Sequence, residues 1–328
     1  MNNIYIIMTE KQVIFLRGVY KKLFHPLSEP LPPECIKDKD LIQSIIFDEI
    51  SSGRPLMVAR FGSIELTSLD NALMMKERRS NWGYISWKTE PNYFRKSQAA
   101  ALCNNAGFFP YPDETLMYRF LDLMRDDMKE VDVLGSWRYN ERLFESELSD
   151  AIKVDRELMT PLLTLNPWSA ALEGKKVLVV HPFAKTIEHQ YLNRHLLFDD
   201  TKILPEFKLR TLKAVQSQAG EETRFDNWFE ALQYMKDEID KIDYDICLLG
   251  CGAYGFPLAA HCKRQGKQAI HLGGVLQLLF GIKGRRWETE EIYKTKYRYI
   301  DCYNKYWVRP LEAETPANSK SIENGCYW

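Results

Sequence analysis

The chain has 328 residues, 45% of them apolar, which is enough to bury one large core or two smaller ones. Its 44 lysine and arginine residues nearly balance 45 aspartate and glutamate residues, so the net charge of −1 argues against a protein that binds nucleic acid through overall charge. The expected partner is a small molecule.

The seven cysteines form no CxxC pair, and several lie in apolar runs, which indicates reduced thiols and a reducing compartment. The apolar stretch 4–8 is shorter than the apolar part of a signal peptide and lacks its basic start and cleavage site. No later run approaches the roughly 20 apolar residues that a membrane span needs. We therefore predict a cytoplasmic protein.

Residues 11–24 alternate apolar and basic side chains at helical spacing, which predicts an amphipathic N-terminal helix. We expect this helix to pack on the body of the protein or on a second subunit. The alternative is peripheral contact of residues 11–24 with the inner face of a membrane, because a basic amphipathic helix can lie on anionic lipid. Four prolines in 25–33 predict a linker, so that residues 1–35 form an extension.

After this extension, helices and apolar strands alternate along the chain. The predicted strands are 56–59, 131–134, 177–180, 209–215, 246–249 and 269–272. The predicted helices are 38–50, 92–104, 114–128, 187–197, 225–239, 254–264 and 275–280. This order predicts an α/β domain over 36–310 with a Rossmann-like, mostly parallel sheet and helices on both faces. The polar tail 311–328 is predicted to be loose until its last residues.

Ligands of parallel sheets bind where strands end at their carboxyl edge, and four loops in such positions carry unusual residues. In the first loop, Arg60 can bind a phosphate or carboxylate, and Gly62 lets the backbone approach a ligand. Glu65 could hold a metal or a sugar hydroxyl. An Arg60–Glu65 ion pair is an equally good interpretation of the same residues.

The second loop begins at His181 and includes Lys185. Either residue could contact an anion or transfer a proton. A purely structural role for His181 is the alternative.

The third loop has the spacing GxGxxG from Gly250 to Gly255 and turns from a strand into a helix, where backbone N–H groups favour phosphate. His271 lies where a dinucleotide site would have an acid, which disfavours a dehydrogenase.

The fourth loop begins at His271 and continues through a glycine pair into a helix that contains Gln277. Three cations follow, Lys283, Arg285 and Arg286, and they could neutralise a diphosphate beside the ring of Trp287. A solvated turn is the alternative for these charges. The sequence contains no phosphate-binding Walker loop, HExxH motif, GxSxG elbow or paired Cys/His zinc spacing.

The run Arg60-Phe61-Gly62-Ser63-Ile64-Glu65 resembles the Arg-Phe-Gly-Asp-Gly-Glu signature of the GT-D class of bacterial glycosyltransferases. The run 250–287 is similar to the end of proteins encoded among surface-polysaccharide functions, so the resemblance spans 42–287. It implies a donor site in which Asp-x-Glu binds the nucleotide sugar and a divalent metal, Mn²⁺ or Mg²⁺. Ser63 replaces the first acid, so either cations neutralise the diphosphate or Glu65 and the phosphates hold the metal.

The resemblance implies transfer of a sugar from a nucleoside diphosphate to a hydroxyl of a glycan, lipid-linked or protein acceptor in surface-glycan synthesis. The candidate bases are Glu65, His181 and His271. The predicted donor-binding residues are Arg60, Gly62, Ser63, Lys185, Gly250, Gly252, Tyr254, Gly273, Gly274, Gln277, Lys283, Arg285 and Arg286. The alternatives are another nucleotide- or sugar-phosphate-binding enzyme, such as an NAD-dependent oxidoreductase, or a non-catalytic subunit of a glycan assembly complex. A homo-oligomer is left open.

Overall fold

The computed structural model describes residues 8–27, 30–316, 318–321 and 325–328. The apolar stretch 4–8 lies outside the described residues except for Met8, and so do small parts of the linker and of the tail. Within the described ranges, no helix combines the length and the apolar character needed to cross a membrane.

In the described part of the chain, seven parallel strands form one sheet with the order β3-β2-β1-β7-β6-β4-β5. The predicted α/β fold with a parallel sheet is therefore confirmed. Six strands match predicted ones within a few residues. The strands are β1 (Leu56–Arg60), β2 (Val133–Ser136), β3 (Ile152–Asp155), β4 (Lys176–His181), β5 (Lys208–Lys213), β6 (Ile246–Leu249) and β7 (Gln268–His271).

Strand β3 was not predicted. It is four residues long at the edge of the sheet, and Val154 is its only buried side chain, so the sequence lacks the continuous apolar run of an inner strand. Ile36 is hydrogen-bonded to the outer edge of this strand. Its N–H donates to the carbonyl of Lys153, and its carbonyl accepts from the N–H of Asp155.

The sheet is covered by helices on both faces. The helices are α1 (Glu10–Phe24), α2 (Lys39–Ser51), α3 (Ser63–Lys76), α4 (Trp82–Ile85), α5 (Lys96–Ala106), α6 (Glu114–Met128), α7 (Ala184–Leu192), α8 (Trp228–Asp240), α9 (Gly255–Arg264), α10 (Leu276–Leu279), α11 (Arg285–Thr289) and α12 (Glu291–Thr295).

Side chains alternate across the sheet because successive residues of a strand point to opposite faces. Met57 and Ala59 of β1 pack with α3, α5, α6, α8 and α9, whereas Leu56 and Val58 pack with α2, α7 and α10. Two cores result, one on each side of a shared sheet. This arrangement explains why the inner strands read as uninterrupted apolar runs.

Helix α6 illustrates how local sequence determines these elements. Asp113 accepts a hydrogen bond from the N–H of Leu116 and begins the helix, and Met117, Phe120 and Met124 then repeat at spacings of three and four. The predicted helix 114–128 is confirmed. By contrast, the helix predicted over 92–104 begins only at Lys96, because Asn92 is held by the side chain of Asn81.

The strand order places the point of reversal between β4 and β6. Strand β4 leads through α7 to β5 on one side, whereas its neighbour β6 leads through α9 to β7 on the other. Helices α7 and α9 consequently lie on opposite faces, and the loops that follow β4 and β6 diverge above the sheet. Such a divergence forms the usual ligand crevice of an open parallel sheet.

The tail is packed at Glu314, within the stretch that the sequence predicts to be loose before its last residues. Glu314 is buried, and its carboxylate accepts hydrogen bonds from the backbone N–H groups of Lys185 (2.7 Å) and Thr186 (3.0 Å) at the start of α7. A carboxylate is favourable there because the first N–H groups of a helix lack partners within the helix. The tail thereby brings Tyr327 and Trp328 to the carboxyl edge of the sheet.

Candidate functional site

A cavity of about 330 Å³ opens at the carboxyl ends of β1, β4, β6 and β7. It is lined by the loops that begin at Arg60, His181, Gly250 and His271, so the four segments singled out in the sequence meet around one cleft. The roles proposed for their residues stay predictions. We refer to this cavity as the cleft.

Twelve of the predicted site residues line the cleft. They are Arg60, Gly62, Ser63, Glu65, His181, Gly250, Gly252, His271, Gly273, Gly274, Gln277 and Arg286.

Four predicted donor-binding residues do not line the cleft. Lys185 is exposed and forms an ion pair with Glu188 at 2.9 Å, and Arg285 is exposed on α11. Tyr254 is fully buried with its ring stacked on Trp228, and Lys283 lies 5.7 Å from the centre of the Tyr303 ring. Proximity in sequence does not determine the direction of a side chain, and donor binding by these four residues stays a prediction.

The structure adds an arginine that the sequence analysis missed. Arg156 directly follows β3, and its guanidinium lies over the ring of Trp137 at 3.8 Å. Burial, together with the nearby charges of Arg60 and Arg286, lowers the pKa of Arg156 to about 10. Three guanidinium groups therefore face the same space. Recognising β3 would have revealed this residue, since it too stands at a carboxyl strand end.

The three arginines have different partners. Arg60 donates to the carbonyls of Leu272 (3.3 Å) and Phe61 (3.1 Å), Arg156 is paired with Glu157, and Arg286 contacts Glu290 at 3.2 Å. Arg60 also lies over Gly273, which has φ +66 and no room for a Cβ atom. Like charges held this close disfavour one another, and an anion between them would relieve the repulsion.

Glu65 lies in the first turn of α3 with its carboxylate folded back against Gly62, the N-cap residue, where a Cβ atom would collide with it. A negative charge is favourable at a helix N-terminus. Arg60 donates to main-chain carbonyls, and its ion pair with Glu65 stays the alternative interpretation. Glu65 thus faces the cleft from the side of α3.

Both cleft histidines are neutral near pH 7. Burial lowers the pKa of His181 to about 3, and burial together with the charge of Arg60 lowers that of His271 to about 3. His181 Nδ1 accepts the N–H of Phe183 at 3.0 Å, so its proton is on Nε2. His271 Nδ1 lies 3.3 Å from the carbonyl of Leu249, which can only accept, so its Nε2 carries the lone pair.

The glycines of the third loop make room for these histidines. A Cβ atom on Gly250 would lie 2.6 Å from His181 Cδ2 and 2.9 Å from the carbonyl oxygen of Gly273. A Cβ atom on Gly255 would overlap the ring of His271. The sequence interpretation assigned these glycines to phosphate contact, but close packing of imidazole rings already requires two of them.

Aromatic rings complete the walls of the cleft. Trp137, Tyr293, Tyr327 and Trp328 all line it, and Trp328 meets Phe183 edge to face with ring centres 6.0 Å apart. The Arg286 guanidinium donates to the Tyr327 hydroxyl at 3.1 Å. Flat apolar faces beside cations suit a ligand that combines a ring with phosphate.

The acidic groups of the cleft do not match the donor set of a divalent cation. Among the residues that the structure describes, no group of three His, Cys, Asp or Glu side chains is arranged to hold a metal. The carboxylates of Glu157 and Glu290 pair with arginines, and Ser63 stands where the resembling family has an acid. The Mn²⁺ or Mg²⁺ requirement stays a prediction.

A second cavity of about 130 Å³ shares Trp137 with the cleft and is lined by Arg17, Glu90 and Asn140 among others. Behind it lies Asp70, which is fully buried and accepts hydrogen bonds from the N–H of Glu90 (2.9 Å) and from Asn140. Its Oδ1 has no partner among the described residues, and burial raises its pKa to about 8. This cavity is polar and partly aromatic.

Comparisons of this chain with protein-family models, with curated proteins and with solved structures find no match.

Proposed function

We propose that the protein is a glycosyltransferase that moves a sugar from a nucleoside diphosphate to an acceptor hydroxyl in surface-glycan synthesis. The observation that carries this proposal is the convergence of Arg60, Arg156 and Arg286 on one aromatic-walled cleft. The resemblance of residues 60–65 to the GT-D donor motif supports the same function. Glu65 from that motif also lines the cleft.

The arginines suit the diphosphate of the donor. A guanidinium donates two parallel hydrogen bonds to phosphate oxygens, and it keeps its charge when it is partly buried. The three cleft arginines come from β1, from the residue after β3 and from α11, so their spacing is held by separate elements. Such preorganised donors stabilise charge that develops on a leaving group.

The proposed transfer forms one bond at the anomeric carbon and breaks another. The acceptor oxygen forms a bond to the anomeric carbon, the bond from that carbon to the phosphate oxygen breaks, and the nucleoside diphosphate leaves with the electron pair. The acceptor proton passes to a base. Glu65 is the preferred base, because the lowered pKa values of His181 and His271 make both imidazoles poor proton acceptors. His181 Nε2–H instead suits donation to a ligand oxygen.

The second cavity is a suitable place for the acceptor. It shares Trp137 with the cleft and is lined by the charged and amide side chains of Glu90 and Asn140. A hydroxyl-rich acceptor requires such donors and acceptors around it, together with aromatic faces.

The first experiment is calorimetric titration of the whole chain with UDP, GDP, CMP and NAD, each with and without Mn²⁺. Binding of a nucleoside diphosphate supports the proposal, and its dependence on Mn²⁺ tests the cofactor prediction. Binding of NAD alone would favour an oxidoreductase. Binding of none of them would favour a non-catalytic subunit of a glycan assembly complex.

The second experiment compares wild type with Glu65→Gln, which keeps the size of the side chain at the start of α3. With the nucleotide sugar that the titration identifies, we expect release of free nucleotide to fall by roughly a hundredfold or more, because a general base contributes about that much. Nucleotide affinity and the thermal midpoint should change little. Retention of full activity would exclude Glu65 as the base.

A further inference from the structure

Among the residues that the structure describes, helix α1 contacts the rest of the protein through one side. Val13 is fully buried, and the guanidinium of Arg17 lies 3.9 Å from the ring centres of both Tyr84 and Trp87. Tyr20 meets Trp82 edge to face at 5.9 Å. These contacts fix the rotation of the helix, and so determine which of its side chains face outward.

The outward side of α1 is apolar. Phe15, Val19 and Leu23 follow one another at intervals of four residues and therefore form one line along the helix. Their exposed fractions are 69%, 36% and 68%, and Trp82, which follows beside Tyr20, is 62% exposed. Leu16, at 38%, extends the same surface. We call Phe15, Leu16, Val19, Leu23 and Trp82 the apolar stripe.

Exposed lysines accompany the apolar stripe. Lys11, Lys21 and Lys22 are exposed on α1, and Glu10 is the only acid of the helix. Lys21 lies 5.0 Å from the centre of the Trp87 ring, on the anchored side, so Lys11 and Lys22 are the lysines beside the stripe. The chain as a whole has a net charge of −1, so this positive charge is a local feature. An apolar surface next to clustered lysines is complementary to a surface that is both apolar and anionic.

We propose that α1 lies on the surface of an anionic lipid bilayer, with the apolar stripe buried at the boundary between headgroups and acyl chains. The lysines bind the anionic headgroups. A 15-residue helix is about 22 Å long, so it lies in the interface rather than crossing the bilayer.

A second copy of the chain is the main competing occupant, and the charges argue against it. A twofold dimer brings the same patch of both subunits together, and would therefore set one group of lysines against the other. Headgroup phosphates neutralise these lysines instead.

The test is sedimentation of the full chain with vesicles of phosphatidylcholine, alone or with about 30% phosphatidylglycerol, at low and high salt. We expect binding to the anionic vesicles, weaker binding at high salt, and little binding to neutral vesicles. The double variant Phe15→Asp, Leu23→Asp and the double variant Lys11→Glu, Lys22→Glu should each bind at least about tenfold more weakly. All four side chains are exposed, so both variants should keep the wild-type thermal midpoint.

Matched controls are Leu165→Asp and Leu192→Asp, which change apolar side chains that are 83% and 75% exposed on other parts of the surface. Their vesicle binding should equal that of wild type. No sedimentation with anionic vesicles, or wild-type binding by the Phe15/Leu23 variant, overturns the proposal. A dimer in light scattering that the same variant dissociates assigns the apolar stripe to a second copy. Vesicle binding needs no sugar donor, so this result is independent of the proposed transferase activity.

Discussion

The surroundings of Arg156 change the pKa of its guanidinium and its expected role. In the sequence it follows a short, half-polar segment, whereas in the structure it is largely buried beside Trp137 and close to Arg60. Desolvation and like charge both disfavour its protonated form. An anionic ligand would reverse both effects, which makes Arg156 a sensitive test of the cleft.

We expect Arg156→Gln to weaken binding of the nucleoside diphosphate at least about tenfold, because one charge-assisted contact of roughly 1.4 kcal/mol or more is lost. Its thermal midpoint without ligand should not fall by much, since the repulsion from Arg60 is also removed. Calorimetry and thermal unfolding measure the two effects. Arg210→Gln, an exposed arginine on the edge strand β5, is the control. Equal affinity in Arg156→Gln and wild type would contradict an anion site at these arginines.

Gly255 and Gly18 both lie in helices, but a neighbouring side chain fills the space of a Cβ atom only at Gly255. Gly255 begins α9 with φ −61, so any residue could adopt its backbone, but the ring of His271 occupies the space of a Cβ atom. Gly18 lies inside α1 with no atom within 4 Å of such a Cβ.

We expect Gly255→Ala to lower the free energy of unfolding by about 1–3 kcal/mol, because the added methyl group overpacks the site. Gly18→Ala should raise the helix content of α1 and stabilise it by about 0.5–1 kcal/mol, because alanine is the better helix former. Denaturant unfolding and circular dichroism measure these changes. A Gly255→Ala protein as stable as wild type would show that the ring of His271 moves freely.

The tail acts on α7 through Glu314. Its buried carboxylate binds two N–H groups at the first turn of that helix and the hydroxyl of Thr186. The same segment leads to Tyr327 and Trp328 in the wall of the cleft.

We expect Glu314→Ala to destabilise the protein by about 1–3 kcal/mol, since buried donors lose their partner. The exposed neighbour Glu312 offers a matched control, and Glu312→Ala should leave the free energy of unfolding unchanged. Thermal unfolding of both variants makes the comparison. A similar small effect of both substitutions would mean that water replaces the Glu314 carboxylate.

For the molecule as a whole, His181 and His271 contribute to the dependence of stability on pH. Their folded pKa values of about 3 lie below the ordinary value of 6.5, so in the window between these values the unfolded chain binds more protons. Their contribution to stability is complete above pH 6.5 and is lost as the pH falls towards 3. Each histidine lowers the free energy of unfolding by about 1.4 kcal/mol per pH unit within this window.

The raised pKa values of Asp70, about 8, and Asp127, about 6, act in the opposite direction. We therefore expect the free energy of unfolding of wild type to fall between pH 6 and pH 4 relative to that of His181→Gln, which keeps a polar side chain but cannot titrate there. Urea unfolding at several pH values measures both slopes. Identical slopes for wild type and variant would show that His181 does not remain neutral in the folded protein.

The sequence by itself determined the parallel α/β fold, six of its strands and the four loops that meet in the cleft. Apolar runs and glycine turns are local features, and the geometry of a parallel sheet brings carboxyl strand ends to one edge whatever lies between them. Only the tertiary structure decided that Arg156 joins Arg60, that Glu314 caps α7, and that Gly250 and Gly255 accommodate imidazole rings. It also turned Lys185 and Arg285 away from the cleft. These outcomes depend on contacts between residues distant in the chain, and no local pattern records which way a side chain points.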